Sequence, residues 1–250
     1  MGFIIEKQMV FLGLVVLFPL LCTSMNTFTS SRATYYGSHD GYGTSSGACG
    51  FGEYGRTVNY GNVAGVSRLY RNGTGCGACY QVRCTNPQYC TRGGVNIVVT
   101  DYGEGDRTDF ILSTKAYTKL AKPNLAQELL AHGVVDVEYK RISCKYYGYN
   151  LMFKVHEHSR YPEYLAIIIL YAAGQNDITA VELGQEDDDE WRPMRRAWGA
   201  VFDMPNPPEG SIDLKFQVKG SNGHDWVQSN NAIPSNWKAG GVYDSTIQLN

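Results

Sequence analysis

No cysteine lies beyond Cys144, although the 250-residue chain has seven. Everything after it must hold together by packing alone, which points to two domains of different construction. Charge is scarce and nearly balanced, with 18% charged residues and a formal net charge of -2. That removes any electrostatic reason to expect a nucleic acid or an anionic membrane as partner. Metal and cofactor signatures are missing too. Cys76-Gly-Ala-Cys79 has the spacing of a zinc knuckle, but the nearby histidines are only His39 and His132. The one apolar run whose length approaches a membrane span lies near the N-terminus.

That one run, Met9 to Leu21 after Lys7, has the form of a secretory signal peptide, with the small Thr23 and Ser24 behind it. It is short for a membrane span of ~20 residues. Residues 1–24 are therefore expected to be the signal, and no membrane attachment remains after cleavage. Cys22 leaves with it. Cys49, Cys76, Cys79, Cys84, Cys90 and Cys144 stay, an even set that implies three disulfides in an oxidising compartment and leaves their pairing open.

What is present is enough for a core: 43% hydrophobic residues, 12% aromatic. The stretch from Asn96 to Ser113 organises the first half. Ile97-Val98-Val99 reads as a buried strand, Thr100 and Asp101 end it, and a loop flanked by Gly103 and Gly105 leads to Phe110-Ile111-Leu112. Asp101 and Asp109 face each other across that loop, as a pair of sugar-cleaving carboxylates would. The bland alternatives are that Asp101 caps a turn and that Asp109 pairs with Arg107 or Lys115 at the surface. Partial burial beside apolar strands would raise the Asp101 pKa.

Arg32 to Tyr36 alternates like a strand, which puts Thr34 and Tyr36 on one face. Gly37 to Gly50 is a long loop suited to pack over a groove; His39-Asp40 within it reads as solvated. Ser113 to Leu130 is the one helical stretch, broken at Pro123 and N-capped by Ser113. Val134 to Ile142 reads as a strand. Asn72-Gly-Thr is a glycosylation sequon in a turn.

After the connector Lys145 to Asn150, strands recur: Leu151 to His156, Tyr164 to Tyr171, Ile178 to Leu183, Arg195 to Phe202, Ser211 to Val218, His224 to Val227 and Val242 to Leu249. Short strands between turn residues, with no helix, predict a β-sandwich. The acidic run Glu186 to Glu190 invites a calcium site, but an acidic loop between strands is more often solvated.

Ala33-Thr-Tyr-Tyr-Gly37, Gly47-Ala-Cys-Gly-Phe51, Cys76-Gly-Ala-Cys79, Val99-Thr-Asp101 and Trp191-Arg-Pro-Met194 with Trp198-Gly199 resemble the plant expansins, most of all the expansin-like B group. The resemblance runs in order along the whole mature chain. It implies a mainly β chain: a double-psi β-barrel like that of family-45 endoglucanases over residues 25–146, then an immunoglobulin-like β-sandwich over 147–250 that binds polysaccharide. It implies the disulfides Cys49–Cys76, Cys79–Cys144 and Cys84–Cys90. It also implies a monomer without cofactor, secreted to the plant cell wall, that binds cellulose, xyloglucan or other matrix glucans and loosens the wall without hydrolysis.

By the same resemblance, Thr34 and Tyr36 join Asp101 in a groove, and Tyr164 and Trp198 form an aromatic platform. Tyr161 and Phe202 are further candidates, although Phe202, like Trp191, Trp226 and Trp237, also reads as core or edge packing. One departure stands out. Where the family has His-Phe-Asp before Leu-Ser, this chain has Asp109-Phe110-Ile111, so Ile111 replaces the second carboxylate. The alternative to a binding protein is a weak endoglucanase using Asp101 and Asp109.

Overall fold

The computed structural model describes residues 27–104, 109–185, 188–220 and 223–249. The expected signal peptide, Cys22, Gly105, Arg107 and the start of the acidic run lie outside the described residues. Six strands form the first unit: β1 (Thr29–Tyr36), β2 (Val63–Val66), β3 (Cys79–Cys84), β4 (Val95–Tyr102), β5 (Phe110–Ser113) and β6 (Val135–Arg141). They close in the order β1-β5-β2-β4-β3-β6, with β1 parallel to β5 and β2 parallel to β4. This is the double-psi barrel.

Short helices pack on it: α1 (Glu53–Thr57), α2 (Thr114–Thr118) and α3 (Ala126–His132). The helical stretch breaks around Pro123 because proline has no amide to donate. Ser113 does cap α2, its hydroxyl accepting from the Ala116 amide at 3.1 Å. Three disulfides, Cys49–Cys76, Cys79–Cys144 and Cys84–Cys90, tie the barrel loops in the pairs the resemblance implies.

The second unit contains β7 (Met152–Val155), β8 (Tyr164–Leu170), β9 (Asp177–Gln185), β10 (Asp188–Pro193), β11 (Arg195–Trp198), β12 (Val201–Pro205), β13 (Ile212–Gly220), β14 (Gly223–Ile233) and β15 (Val242–Asp244). One sheet runs β10-β9-β13-β14 and the other β11-β12-β8-β7-β15, packed as a sandwich. The single strand expected from Arg195 to Phe202 is two strands folded back at Gly199, whose φ of +48 supplies the turn. Sequence reading also missed β2 and β10, both short.

Strand β8 shows how the two units become one body. Leu165, Ile167 and Ile169 point into the sandwich core beside Phe153 and Phe216. The alternate residues Ala166, Ile168 and Leu170 join the barrel cluster with Val99 and Phe110. Burial on both faces is why Tyr164 to Leu170 reads as a continuous apolar run rather than an alternating one. Each such buried aliphatic side chain contributes about 1.5–3 kcal/mol.

Polar contacts fix the orientation that burial permits. Arg71 of the barrel grips the Asp177 carboxylate at 2.5 and 2.9 Å, and Arg141 reaches the same carboxylate at 2.9 Å. The Cys79 amide donates to Gly174 O and the Cys144 amide to Ala173 O. Burial pushes the Asp177 carboxyl up, but the hydrogen bond from Arg71 and the charge and hydrogen bond of Arg141 outweigh it and hold the group below its ordinary value. A carboxyl depressed by folding gives stability that is present above the unfolded value, near 3.9, and lost as the pH falls through the folded one.

Asp177→Ala should therefore cost about 2–3 kcal/mol, less than a fully buried pair because Arg71 is partly in solvent. Thermal unfolding at about pH 7 and about pH 3 checks it, with the penalty shrinking in acid.

Candidate functional site

Register places the candidate residues in one row across the barrel wall. Thr34 on β1 pairs with Ile111 on β5, Ile111 with Gly65 on β2, and Gly65 with Asp101 on β4. Partners in register point to the same side, so Thr34, Ile111 and Asp101 share a face. All three are half-buried. The alternate positions Ala33, Leu112 and Ala64 are sealed in the core. Gly65 contributes no side chain between Asp101 and Ile111, and Ile111 packs across towards Gly103, where a Cβ would stand 2.6 Å from its Cδ1.

Asp101 is held by backbone. Its Oδ1 accepts from the Ala48 amide at 2.6 Å and from the Tyr102 amide at 2.8 Å. Ala48 comes so close because Gly47 precedes it: a Cβ there would stand 2.6 Å from Thr100 O. The long Gly37–Gly50 loop thus packs over the strand end as expected. Desolvation raises the Asp101 pKa, with the Ala48 hydrogen bond pulling the other way. Burial, and then the Asp101 charge, raise the pKa values of Tyr36 and Tyr70.

The other groove candidates have other employment. Thr34 donates its hydroxyl to Gly133 O at 2.9 Å. The Tyr36 hydroxyl is buried without a hydrogen-bond partner among the described residues and lies against Gly43. Asp109 corrects the expectation of a surface position beside Lys115, while Arg107 lies outside the described residues. It is buried, and Arg68 forks its carboxylate at 2.7 and 2.5 Å while Ser31 donates at 2.6 Å. The Arg68 hydrogen bond, against burial, holds its pKa down. Lys115 instead places its ammonium 3.6 Å from the Tyr42 ring centroid. Likewise Asp40 is not simply solvated: it pairs with Arg56.

Position 111 is where a second carboxylate would matter. It lies two strands from Asp101, roughly 9–10 Å at the backbone, so a carboxylate there falls near the ~6.5–9.5 Å spacing of inverting glycosidases. Isoleucine can neither take a proton from water nor attack a sugar. One placed acid remains.

The surface continues onto the sandwich. The Ala200 amide donates to Cys49 O at 3.0 Å, and a Cβ on Gly199 would strike Ala48 O at 2.4 Å. Trp198 therefore stands directly beside Gly50, three residues from the Gly47 that shapes the Asp101 site. Its ring is 39% exposed and meets the edge of His156 at 5.3 Å. Tyr164, half-buried on β8, donates to Asp203, which Arg195 also clasps at 2.9 and 2.6 Å. Tyr161 is 55% exposed and rests on Trp237. Phe202 does not belong to a platform: it is 3% exposed, roofed by the Arg196 guanidinium at 4.3 Å. Trp237 is core, whereas Trp226 is 45% exposed on the opposite sheet.

Sequence reading missed Arg68, Ala48 and His156. Arg68 is far from Asp109 in sequence and carries no local signal, and the Ala48 contribution is an amide. His156 sits at the end of β7, where alternation would have shown it sharing the Lys154 face.

A double-psi barrel with a strand-end aspartate, continued by a sandwich bearing exposed aromatics, defines an expansin-type protein. Family models agree: one described as Lytic transglycolase matches residues 62–139 and the Expansin C-terminal domain matches residues 151–234. The chain belongs to the plant expansin superfamily as an expansin-like protein. It is 57% identical to Expansin-like B1 of Arabidopsis thaliana (96% of each chain) and 46% identical to Expansin-like B1 of Oryza sativa subsp. japonica (94% of this chain, 93% of the relative). Among solved structures, the fold matches a Clavibacter michiganensis expansin, both apo and as a mutant in complex with cellohexaose. Each match has TM-score 0.66 and 19% identity, covering 89% of this chain and 98% of that one.

A carboxyl raised by folding makes the folded state lose stability as pH climbs from the unfolded value to the folded one. Asp101→Asn keeps the Oδ1 acceptor and removes that loss. The variant should melt higher than the parent at about pH 7 and level with it at about pH 3, as calorimetry at the two pH values would read.

Proposed function

We propose that this is a secreted plant cell-wall protein that binds a wall β-glucan, such as cellulose or xyloglucan, along the surface from Asp101 to Trp198 and Tyr164. Binding modifies or loosens the wall without cutting it. The observation that carries the absence of cutting is the row Thr34–Ile111–Gly65–Asp101. Hydrolysis needs a carboxylate across the scissile bond from the acid. Ile111 occupies that place, and Asp109 is locked to Arg68 and Ser31. Asp101 is left as an acid or a hydrogen-bond partner for a sugar hydroxyl.

On the sandwich, the flat rings of Trp198 and Tyr164 suit the apolar CH faces of pyranoses. Tyr161 extends the same role. The cellohexaose complex of the bacterial expansin and the Expansin C-terminal match support a glycan ligand. We further propose that residues 1–24 direct export, that 25–146 and 147–250 are the domains, that the protein acts as a monomer, and that Asn72, exposed in its turn, accepts a glycan. Among the described residues no helix is long and apolar enough to cross a membrane.

Two measurements test this function. Trp198→Ala should weaken binding to insoluble cellulose or xyloglucan by about tenfold, the cost of truncating one aromatic anchor; undiminished binding would move the platform elsewhere. Reducing-end release from amorphous cellulose, mixed-linkage glucan and xyloglucan should stay at background for both parent and Asp101→Asn. Release that depends on Asp101 would make the protein an endoglucanase instead.

A further inference from the structure

The connector Lys-Tyr-Tyr-Gly-Tyr-Asn, residues 145–150, has more aromatic surface than a tether needs. With the turn that follows α1, it encloses a second cleft of about 480 Å³ lined by Tyr54, Tyr60, Tyr146, Tyr147, Tyr149 and Tyr171, with Lys145 at its edge. That volume lies within the roughly 300–1,000 Å³ of small-ligand sites. It is separate from the Asp101 surface. Asn59, beside Tyr60, donates to Asn96 O near the start of β4, whereas Asp101 sits near its end, roughly 16 Å further along the strand.

Part of the tyrosine cluster is structural. Tyr149 stacks on Tyr171 at 4.5 Å with the rings 14° apart, and Tyr54 and Tyr146 meet Tyr171 edge-on. The Tyr54 hydroxyl accepts from the Tyr171 amide at 3.1 Å. Burial raises the pKa values of Tyr54, Tyr146 and Tyr171, Tyr146 being pushed up to about 12. Connector packing explains those four rings. It does not explain Tyr60 and Tyr147, which line the same cleft at 85% and 83% exposure. Tyr60 is moreover held at φ +58, a conformation that bulky residues rarely adopt.

We propose that this cleft is a second saccharide site, taking a short stretch of neutral pyranose residues. The choice of ligand follows from the lining. Its rings are all tyrosines, so every flat apolar face ends in a neutral hydroxyl, and Thr57 and Asn59 add further polar groups. The one aliphatic side chain in the lining, Val58, is buried. A lipid tail or apolar peptide side chain would leave those hydroxyls unpaired, at a cost. A pyranose has the matching pattern: CH faces for the rings and a girdle of hydroxyls for the rims. The proposal goes beyond the groove function and stands on separate residues.

Saturation-transfer NMR and calorimetry on the full mature protein test it, with cellotriose and a xylose-branched β-glucan heptasaccharide as probes. Circular dichroism confirms that the variants are folded, which exposed positions favour. Made in a Trp198→Ala background, which weakens the groove anchor, the double variant Tyr60→Ala with Tyr147→Ala should reduce transfer from tyrosine protons to the sugar and bind the probes roughly tenfold more weakly than Trp198→Ala alone. Trp198→Ala should leave that transfer in place. Unchanged transfer in the double variant would overturn the proposal, as would loss of all probe binding on Trp198→Ala alone. Binding of a planar phenolic acid such as 4-hydroxybenzoate with none of either saccharide would also overturn it. Retention on insoluble cellulose reads the Asp101–Trp198 surface separately.

Discussion

The backbone contact between the Gly199 turn and Ala48-Cys49 is what makes one surface out of two units. Gly199 takes a φ open to glycine and lies so close to the Ala48 carbonyl that a methyl group would collide. Because Ala48 also donates to Asp101, the same short segment sets the acid on the barrel and the tryptophan on the sandwich. The Cys49–Cys76 disulfide anchors that segment from within. Behind it, the Arg71–Asp177–Arg141 cluster and the two-faced strand β8 tie the units together. Distance between Asp101 and Trp198 is then a property of the fold, not of a flexible tether.

Two carboxylates close in sequence have opposite fates because of what surrounds them. Asp101 is partly buried, and that desolvation outweighs the Ala48 amide, so its charged form is disfavoured. Asp109 meets a guanidinium fork and a serine hydroxyl, so its charged form is favoured. A glycosidase separates a pair of acids in the same way, one protonated and one charged. Here the charged member is turned into the wall between β1 and Arg68, and the place opposite Asp101 is filled by an alkyl group. The electrostatic division is present, with its charged member held by Arg68 and Ser31.

Much of the architecture was legible in sequence where local pattern and final environment agree. The Ile97–Thr100 run, the Ser113 cap and the break at Pro123 all behave as their residue types dictate. The register did not show itself, because Thr34, Gly65, Asp101 and Ile111 come from four strands whose pairing crosses the chain order. Nor did Arg68: a surface arginine that follows a serine gives no sign that it will fold onto a buried aspartate. Phe202 misleads for the opposite reason, since an aromatic on a sandwich strand reads alike whether it faces the core or the solvent. Only the turn at Gly199, which splits the expected strand, decides which way it points.

If the groove takes a glucan chain, the rigidity of the junction bears directly on affinity. A single stacked aromatic or one hydrogen-bonded carboxyl binds a sugar weakly, and ordering a polymer segment on the protein has its own entropic cost. A polymer touching Asp101 and Trp198 at once avoids that cost twice over, because the second contact is intramolecular and its effective concentration is set by how well the spacing is held. A loose hinge would dilute this advantage. The alanine-sized tolerances at Gly47 and Gly199 are thus as much a part of binding as the rings themselves. In the same terms, an isoleucine at position 111 adds apolar surface beside Asp101, in the row where the resemblance puts a carboxylate.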